Sequence, residues 1–499
     1  VEKVELKMLS FEVTNVVVDG PSTELLGLSD VEFVQVNGSW NVVVASEAEG
    51  AITTFGFENN ALTGVLDTQS YSSTSGTRMI SYLTIAEING ETMLLPATRY
   101  EDQTNLYSIS GTGILGAGVN SNGIGQLTLN TAVTVGANTF VYSASNNGIT
   151  AYSVDASLNF TQVDQELDTG ATYLGDVSAF ANATVAGIEY LFVASAYDAG
   201  VSSYVIDANG ALSLADTVTP GEFSGFYLVQ DLITLEVSGQ DYLVMASAGT
   251  SSLTVYSVSA NGALFETDFL IDSLDTRFED ASVLESFVYD GRSFVIAAGS
   301  DDGITILELT ATGQLWEMAS LADTYDTTLA NVTGISAEVI NGSVEILISS
   351  ATDHGFTQIT LNTSLMDSAI TGSAGNDFIR GTSSSDLIYG LDGNDNLVGG
   401  SGADTLVDGA GIDYLTGEGG RDVFMFVEDG ELDIICDFSV GDDQIDLSHF
   451  AGVFGLNDIE IRDWCNGVII IVNEDAIIVQ NQDSREYFAE DFGASDFLF

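Results

Sequence analysis

The sequence predicts an all-β protein: a seven-bladed β-propeller, then a parallel β-roll, then a β-rich C-terminal cap. Three observations predict it. A unit of about fifty residues recurs seven times before residue 370. An Asp then recurs every nine residues from Asp377 to Asp422. The chain also holds 52 glycines against three prolines, a balance that suits many strands joined by tight turns.

The long unit is visible in "WNVVVAS", "TMLLPAT", "TFVYSAS", "YLFVASA", "YLVMASA", "SFVIAAG" and "VEILISS". In register these place Ala45, Ala97, Ala144, Ala194, Ala246, Ala297 and Ser349 at one position, at intervals of 52, 47, 50, 52, 51 and 52. Each run is short, apolar and β-branched, the pattern of a buried strand. Upstream of each stands a glycine: Gly38, Gly90, Gly136, Gly187, Gly239, Gly291 and Gly342. Several follow Asn or Asp, as a two-residue hairpin turn requires. With the turns downstream at Gly50, Gly148, Gly200, Gly303 and Gly355, and the "NGAL" turns at Gly210 and Gly262, each unit reads as a four-stranded meander. A lone meander cannot bury both faces, so the units must stack, and this period points to propeller blades. An array of single-sheet sandwiches is the alternative. The seventh unit reads one strand short, and the N-terminal "MLSFEVTNVVV" is placed to supply it. The unit "YLFVASAYDAGVSSYVIDANGALSLADTV" resembles the seven-bladed lactonase-like propellers, mostly in its strand and turn positions.

The nine-residue phase runs through "GSAGNDFIRGTSSSDLIYGLDGNDNLVGGSGADTLVDGAGIDYLTGEGGRDVFM". Its aspartates are Asp377, Asp386, Asp395, Asp404, Asp413 and Asp422, and each is followed two residues on by Ile379, Ile388, Leu397, Leu406, Leu415 or Phe424. The pattern resembles G-G-x-G-x-D-x-U-x, the calcium-binding repeat of RTX proteins. Each copy then makes a glycine turn and a very short strand, and two copies make one coil. Asp377, Asp395 and Asp413 stack on one side; Asp386, Asp404 and Asp422 stack on the other. Ca²⁺ takes six to eight oxygens, which these carboxylates and the carbonyls of turns at Gly375, Gly393, Gly402 and Gly411 can supply. The inward apolar residues form only a thin core, so folding should depend on the ion. The pattern departs from the repeat at Ser384, Asp408 and Glu418, where weaker sites are expected.

Beyond the repeats, "DVFMFVEDGELDIICDFSVGDDQIDLSHF" resembles the cap that ends the β-rolls of serralysin-like secreted proteins. The matching positions are Asp422, Phe424, Phe426, Asp433, Ile435, Asp437, Phe438, Asp443, Ile445, Asp446 and Leu447. The terminal "GASDFLF" looks like the uncleaved signal of type I secretion, and "VEKVELKMLSFEVTNVVV" shows no apolar leader. The resemblance implies export to the exterior through type I secretion machinery. The expected domains are therefore a propeller over 1–370, a roll over 371–430, and a cap with its signal over 431–499. Cys436 and Cys465 read as small core residues, with a disulfide possible only in an oxidising exterior.

The charge is extreme: 73 acids against 10 bases, a net −63. Nucleic acid and anionic lipid both require Lys/Arg clusters, so neither is an expected partner. No apolar run is long enough for a transmembrane helix. Most of the acids read as a soluble coat suited to high salt. Catalytic motifs are missing: no G-x-S-x-G, H-E-x-x-H or P-loop is present. His354 falls in the turn "TDHGF" and His449 in "DLSHF". Asp176, Asp280 and Asn331 share one position before the innermost strands and could gather at a channel mouth. The sequence thus points to a secreted calcium-binding structural or adhesive protein that self-assembles. A lactonase-like hydrolase and a carbohydrate-binding or other ligand-binding propeller remain as alternatives.

Overall fold

The computed structural model describes residues 9–20, 23–70, 80–98, 105–120, 124, 129–145, 147–169, 171–219, 227–237, 239–274, 276–310, 313–363, 369–383, 385–447, 450, 453, 455–464, 467–481, 487–493 and 496–498. The chain forms two compact units, Val1–Tyr289 with Ser293–Asn362, and Thr363–Phe499 with the short Asp290–Arg292 segment. Ser384, His449 and Cys465, which carried sequence-based expectations, lie outside the described residues.

The first unit is a propeller of seven four-stranded antiparallel sheets. The first strands of the sheets are Leu28–Val36, Ile80–Ile88, Asn130–Val135, Val177–Val185, Val229–Val237, Val283–Tyr289 and Val332–Ile340. Each packs against the first strand of the next sheet, and the seventh returns to the first, so the ring closes around a channel. The second strands carry the aligned Ala45, Ala97, Ala144, Ala194, Ala246, Ala297 and Ser349, all buried between blades where a larger side chain would hold the sheets apart. The seven upstream glycines all have positive φ, from 65° at Gly136 to 84° at Gly239 and Gly342, and Asn37, Asn89, Ala186, Asp290 and Asn341 before five of them are positive too. Two successive positive-φ residues are what a type I′ hairpin turn demands.

The ring is closed by Ser10–Val18, which pairs antiparallel with Gly355–Asn362 as the fourth strand of the seventh sheet. A polar network reinforces this seam. Asn15 Nδ2 donates to Gln358 Oε1 (2.7 Å), and Gln358 Nε2 donates to the Asn60 carbonyl (2.9 Å) and to Glu345 Oε2 (2.8 Å). Asn341 Nδ2 reaches across to Asn60 Oδ1 (2.8 Å). His354 belongs to the same seam: its Nδ1 accepts the Gly27 N–H at 3.3 Å, which makes it a turn residue of the closure.

Many of the acids that read as a soluble coat are instead staples between blades. On the fourth strands, Asp67, Asp164, Asp216 and Asp268 each sit at a β-bulge. Their Oδ2 atoms accept the N–H of Leu115, Leu212, Leu264 and Leu315 of the following blade, at 3.0, 2.7, 2.9 and 2.7 Å. On the first strands Asp30 and Asp231 do the same to Leu83 and Leu284, both at 2.8 Å. In the inter-blade loops Asp19, Asp168, Asp272 and Asp323 accept the N–H of Leu25, Leu174, Phe278 and Leu329, six residues on. A bulge frees backbone N–H groups from the ladder, and a carboxylate is the strongest acceptor available to them.

The second unit is a parallel β-roll with two sheets. One orders Ile370–Thr371, Leu387–Tyr389, Thr405–Val407, Val423–Met425, Gln444–Asp446 and Phe497–Leu498. The other orders Phe378–Arg380, Asn396–Ser401, Tyr414–Gly419, Leu432–Ile435, Asp475–Gln480, Gly467–Val472 and Glu460–Trp464. Strands 18 residues apart pair in register, so Ile379, Leu397 and Leu415 line up in one sheet and Ile388, Leu406 and Phe424 in the other. These six are buried in one apolar core that continues without interruption to Ile477, Val479 and Phe497.

Deleting residues 1–20 removes the closing strand and opens a sheet edge. We expect the thermal midpoint of the propeller transition to fall by at least about 5 °C, read by calorimetry. An unchanged midpoint would show that the seam contributes nothing to stability.

Candidate metal centre

The six aspartates form two hydrogen-bonded ladders. On one side the Asp377 N–H donates to Asp395 Oδ1 (2.7 Å) and the Asp395 N–H to Asp413 Oδ1 (2.6 Å). On the other the Asp386 N–H donates to Asp404 Oδ1 (2.8 Å) and the Asp404 N–H to Asp422 Oδ1 (3.0 Å). The step is 18 residues, one full coil. Both ladders continue beyond the repeats with longer steps: the Asp413 N–H donates to Asp433 Oδ1 (2.9 Å) and the Asp422 N–H to Asp443 Oδ1 (3.0 Å). Apart from Asp377, which is partly exposed, all of these carboxylates are buried.

Each ladder bond occupies one carboxylate oxygen. The Oδ2 atoms of Asp395, Asp404 and Asp413 are buried and accept no hydrogen bond from any described residue. In the copies that begin with glycine, the Asp Oδ2 points toward that glycine. A methyl group at Gly390 would stand 2.7 Å from Asp395 Oδ2, one at Gly399 2.3 Å from Asp404 Oδ2, and one at Gly417 2.2 Å from Asp422 Oδ2. Glycine at this position leaves room for the carboxylate. The fourth-position glycines set the coil spacing: a methyl group at Gly411 would lie 1.9 Å from the Gly393 carbonyl oxygen, and one at Gly393 2.7 Å from the Gly375 carbonyl carbon. Gly393, Gly402 and Gly411 have φ of 128°, 129° and 134°; Gly375 does not share this geometry.

Stacked buried carboxylates with idle oxygens are costly as anions. Burial pushes the Asp404 carboxyl up to about 6, and those of Asp413 and Asp422 up to about 7, against the N–H that each accepts; flanking carboxylates add to the rise. A hard cation removes this cost by taking the idle oxygens as ligands. The donor set is all oxygen, as calcium prefers over softer metals.

The family model of the RTX calcium-binding nonapeptide repeat matches residues 371–406 and 398–426, in four copies. These coils are RTX calcium-binding repeats. No curated protein matches the chain. Among solved structures the chain is similar to one titled "Structure of Dos1 propeller", at 13% identity and a TM-score of 0.43, over 67% of this chain and 78% of that one. It is also similar to a functionally unknown protein from Desulfotomaculum acetoxidans DSM 771, at 14% identity and a TM-score of 0.40, over 59% of this chain and 86% of that one.

Around the RTX coils the structure adds carboxylates that the nine-residue phase does not contain. Asp433 and Asp443 extend the ladders, and Asp437 accepts the N–H groups of Gly417 (2.9 Å) and Glu418 (2.8 Å). They lie 20, 21 and 20 residues beyond their donors, so an 18-residue rule passes over them. Asp408, which reads as a departure from glycine, is fully buried beside Asp413 and Asp433. Cys436 is half-buried one residue before Asp437.

A second gathering of acids lines the propeller channel. The Tyr82 phenol on the first strand of the second blade is pushed up by its enclosure and then by Asp30, Glu32, Asp231 and Glu285 on the first strands of other blades. Burial pushes the carboxyls of Asp30 and Asp231 up to about 7 and that of Glu285 up to about 8. Asp176, Asp280 and Asn331 occupy left-handed turns before the first strands, with φ of 62°, 51° and 53°. Asp280 Oδ2 accepts the Ser300 hydroxyl and Asn331 donates its N–H to Asp302, which are turn contacts.

Two outcomes follow. Gly399→Ala and Gly417→Ala should each lower the melting temperature of the roll, whereas Gly455→Ala, where a methyl group meets nothing within 4 Å, should not; equal melting of all three would contradict the packing described. In the channel, the folded carboxyls keep protons that the unfolded chain loses above about pH 4. Stability contributed by these groups is therefore full below that value and falls as pH rises through about 7 to 8. In chelator, the propeller midpoint should rise between about pH 8 and pH 6, and Glu285→Gln should flatten that slope; a variant slope equal to wild type would remove Glu285 from the account.

Proposed function

We propose that this chain is a secreted, extracellular or cell-surface structural protein whose RTX roll folds on meeting calcium outside the cell. The observation that carries the reading is the pair of ladders with buried, idle carboxylate oxygens. In it, Asp377, Asp386, Asp395, Asp404, Asp413 and Asp422 are ligands, with carbonyls of the turns at Gly375, Gly393, Gly402 and Gly411 completing the shell. Inside a cell, where free calcium is scarce, the ladder carboxylates repel one another and the coil stays open for export. Outside, millimolar calcium neutralises them, and folding and binding become one event. The resemblance of the C-terminal segment to serralysin-like caps supports export by type I secretion.

The propeller serves as a rigid body in this reading, and adhesion or self-assembly is its role. The support is electrostatic. At −63 two copies repel over about 30 Å in 0.01 M salt, but over only a few ångströms near 1 M. Divalent ions can then bridge facing carboxylates.

Limited proteolysis of the full chain tests the first part. With chelator, cleavage should concentrate between residues 370 and 499 and leave a resistant propeller; millimolar Ca²⁺ should protect both. Identical digests would sink the proposal. Asp395→Ala, which interrupts a ladder, should raise the calcium Kd at least about tenfold by calorimetry. Asp377→Ala, at the ladder end, should cost less. Light scattering tests assembly: a monomer at millimolar Ca²⁺ and high salt across a wide concentration range rules it out.

A further inference from the structure

The run of glycines that begin the copies is broken at Asp408. In the copies before it, the first position is glycine, and the Asp of the same copy tucks against it, as Asp395 does at Gly390 and Asp404 at Gly399. The fifth copy puts a carboxylate there. Its Oδ1 accepts the N–H groups of Gly409 (2.6 Å) and Val427 (3.0 Å), which fixes the side chain. Its Oδ2 is buried and accepts no hydrogen bond from any described residue, and the same is true of Asp413 Oδ2. A carboxylate oxygen of Asp433 completes the group, and the three residues each offer an oxygen within 4.8 Å of the others. Asp408 and Asp413 are 0% exposed and Asp433 2%.

The place is specific. The ladder step lengthens here from 18 residues to the 20 between Asp413 and Asp433. Asp433 belongs to Leu432–Ile435, the strand that passes the sheet on to Asp475–Gln480. The intervening turn is tied at both ends by further acids. The Gly411 N–H donates to Asp429 Oδ2 (2.6 Å), and the N–H groups of Asp429 and Gly430 donate to Asp475 Oδ1 (3.0 and 2.9 Å).

We propose that Asp408, Asp413 and Asp433 form a three-carboxylate calcium site that shares Asp413 with its ladder and joins the RTX coils to the strands beyond them. A coil site draws its charge from ladder aspartates and the rest of its oxygens from glycine turns. This one gathers three carboxylates, and two of their oxygens have no other partner. Three anions this close in a dry setting require a cation with several open positions for oxygen, and calcium accepts six to eight. The third carboxylate comes from beyond the repeats, so the site exists only when Leu432–Ile435 is in place. Its occupancy therefore reports, and stabilises, the docking of that strand on the coil. The inference rests on the calcium reading of the ladders.

Native mass spectrometry and equilibrium dialysis of the full chain with calcium test it. Asp408→Asn keeps the shape and the Oδ1 bonds, and Asp408→Gly restores the residue found in the neighbouring copies, so at least one variant should fold. Each should bind one calcium fewer per chain than wild type, with the remaining sites within about twofold in Kd. Hydrogen exchange in saturating calcium should quicken at 432–435 and 475–480, while 387–389 and 396–401 stay protected. Full calcium stoichiometry in both variants overturns the inference. A wild-type chain that binds no calcium overturns the ladder reading itself, which Asp395→Ala probes separately.

Discussion

The carboxylate that accepts a backbone N–H is the interaction on which both halves of this protein depend. With 73 acids and 10 bases, ion pairs cannot satisfy the acids, and the main chain takes the place of missing cations. The two units use the bond differently. In the propeller, Asp30, Asp67, Asp164, Asp231 and Asp268 each take one N–H on Oδ1 from the following residue and one on Oδ2 from the next blade. Both oxygens are used. In the roll, Asp395, Asp404 and Asp413 use Oδ1 and leave Oδ2 buried and idle. A charged hydrogen bond contributes about 1.5–3 kcal/mol, and leaving a buried charged acceptor unmet costs at least as much. These five propeller aspartates are thus satisfied by the backbone alone, whereas the idle oxygens of the roll call for a cation.

Much of the fold was legible because its signals are local. A type I′ turn needs positive φ, so Asn-Gly and Asp-Gly mark the hairpins; a strand buried on both faces needs an apolar run, so "YLVMASA" and its counterparts mark the blades. The fourth strand of the seventh sheet carries no local mark. It appears in the sequence only as a deficit, because its partner Gly355–Asn362 lies over 300 residues away. The staples were hidden for a different reason. An aspartate at a bulge has the same letter as an aspartate in solvent, and its role appears only when Leu212 is seen 48 residues beyond Asp164. The recurrence of Asp164, Asp216 and Asp268 at 52-residue steps is the signal that could have exposed it.

The metal centre shows the same division. The nine-residue phase announces the ladders, since chemistry that repeats in space repeats in sequence. It passes over Asp433 and Asp443 because the coil lengthens there, and it marks Asp408 only as a departure from glycine, without its burial beside Asp413 and Asp433. The structure gives the substitution another meaning. Among the described residues, a carboxylate replaces glycine at the coil where the next strand brings a third carboxylate within reach.

This contrast also orders the consequences of the net charge. Acids satisfied by backbone N–H groups in the propeller are indifferent to the ions around them, and their remaining cost is long-range repulsion, which salt screens. Acids half-satisfied in the roll respond to one specific ion, and salt cannot substitute because screening does not reach a dry oxygen that accepts nothing. On the proposed reading, high ionic strength and calcium act on separate parts of the same chain: the first screens the acidic surfaces, and the second supplies the roll's idle oxygens with a partner. On that reading, a protein with ten bases keeps its propeller independent of calcium and makes only the unit from Thr363 to Phe499 respond to it.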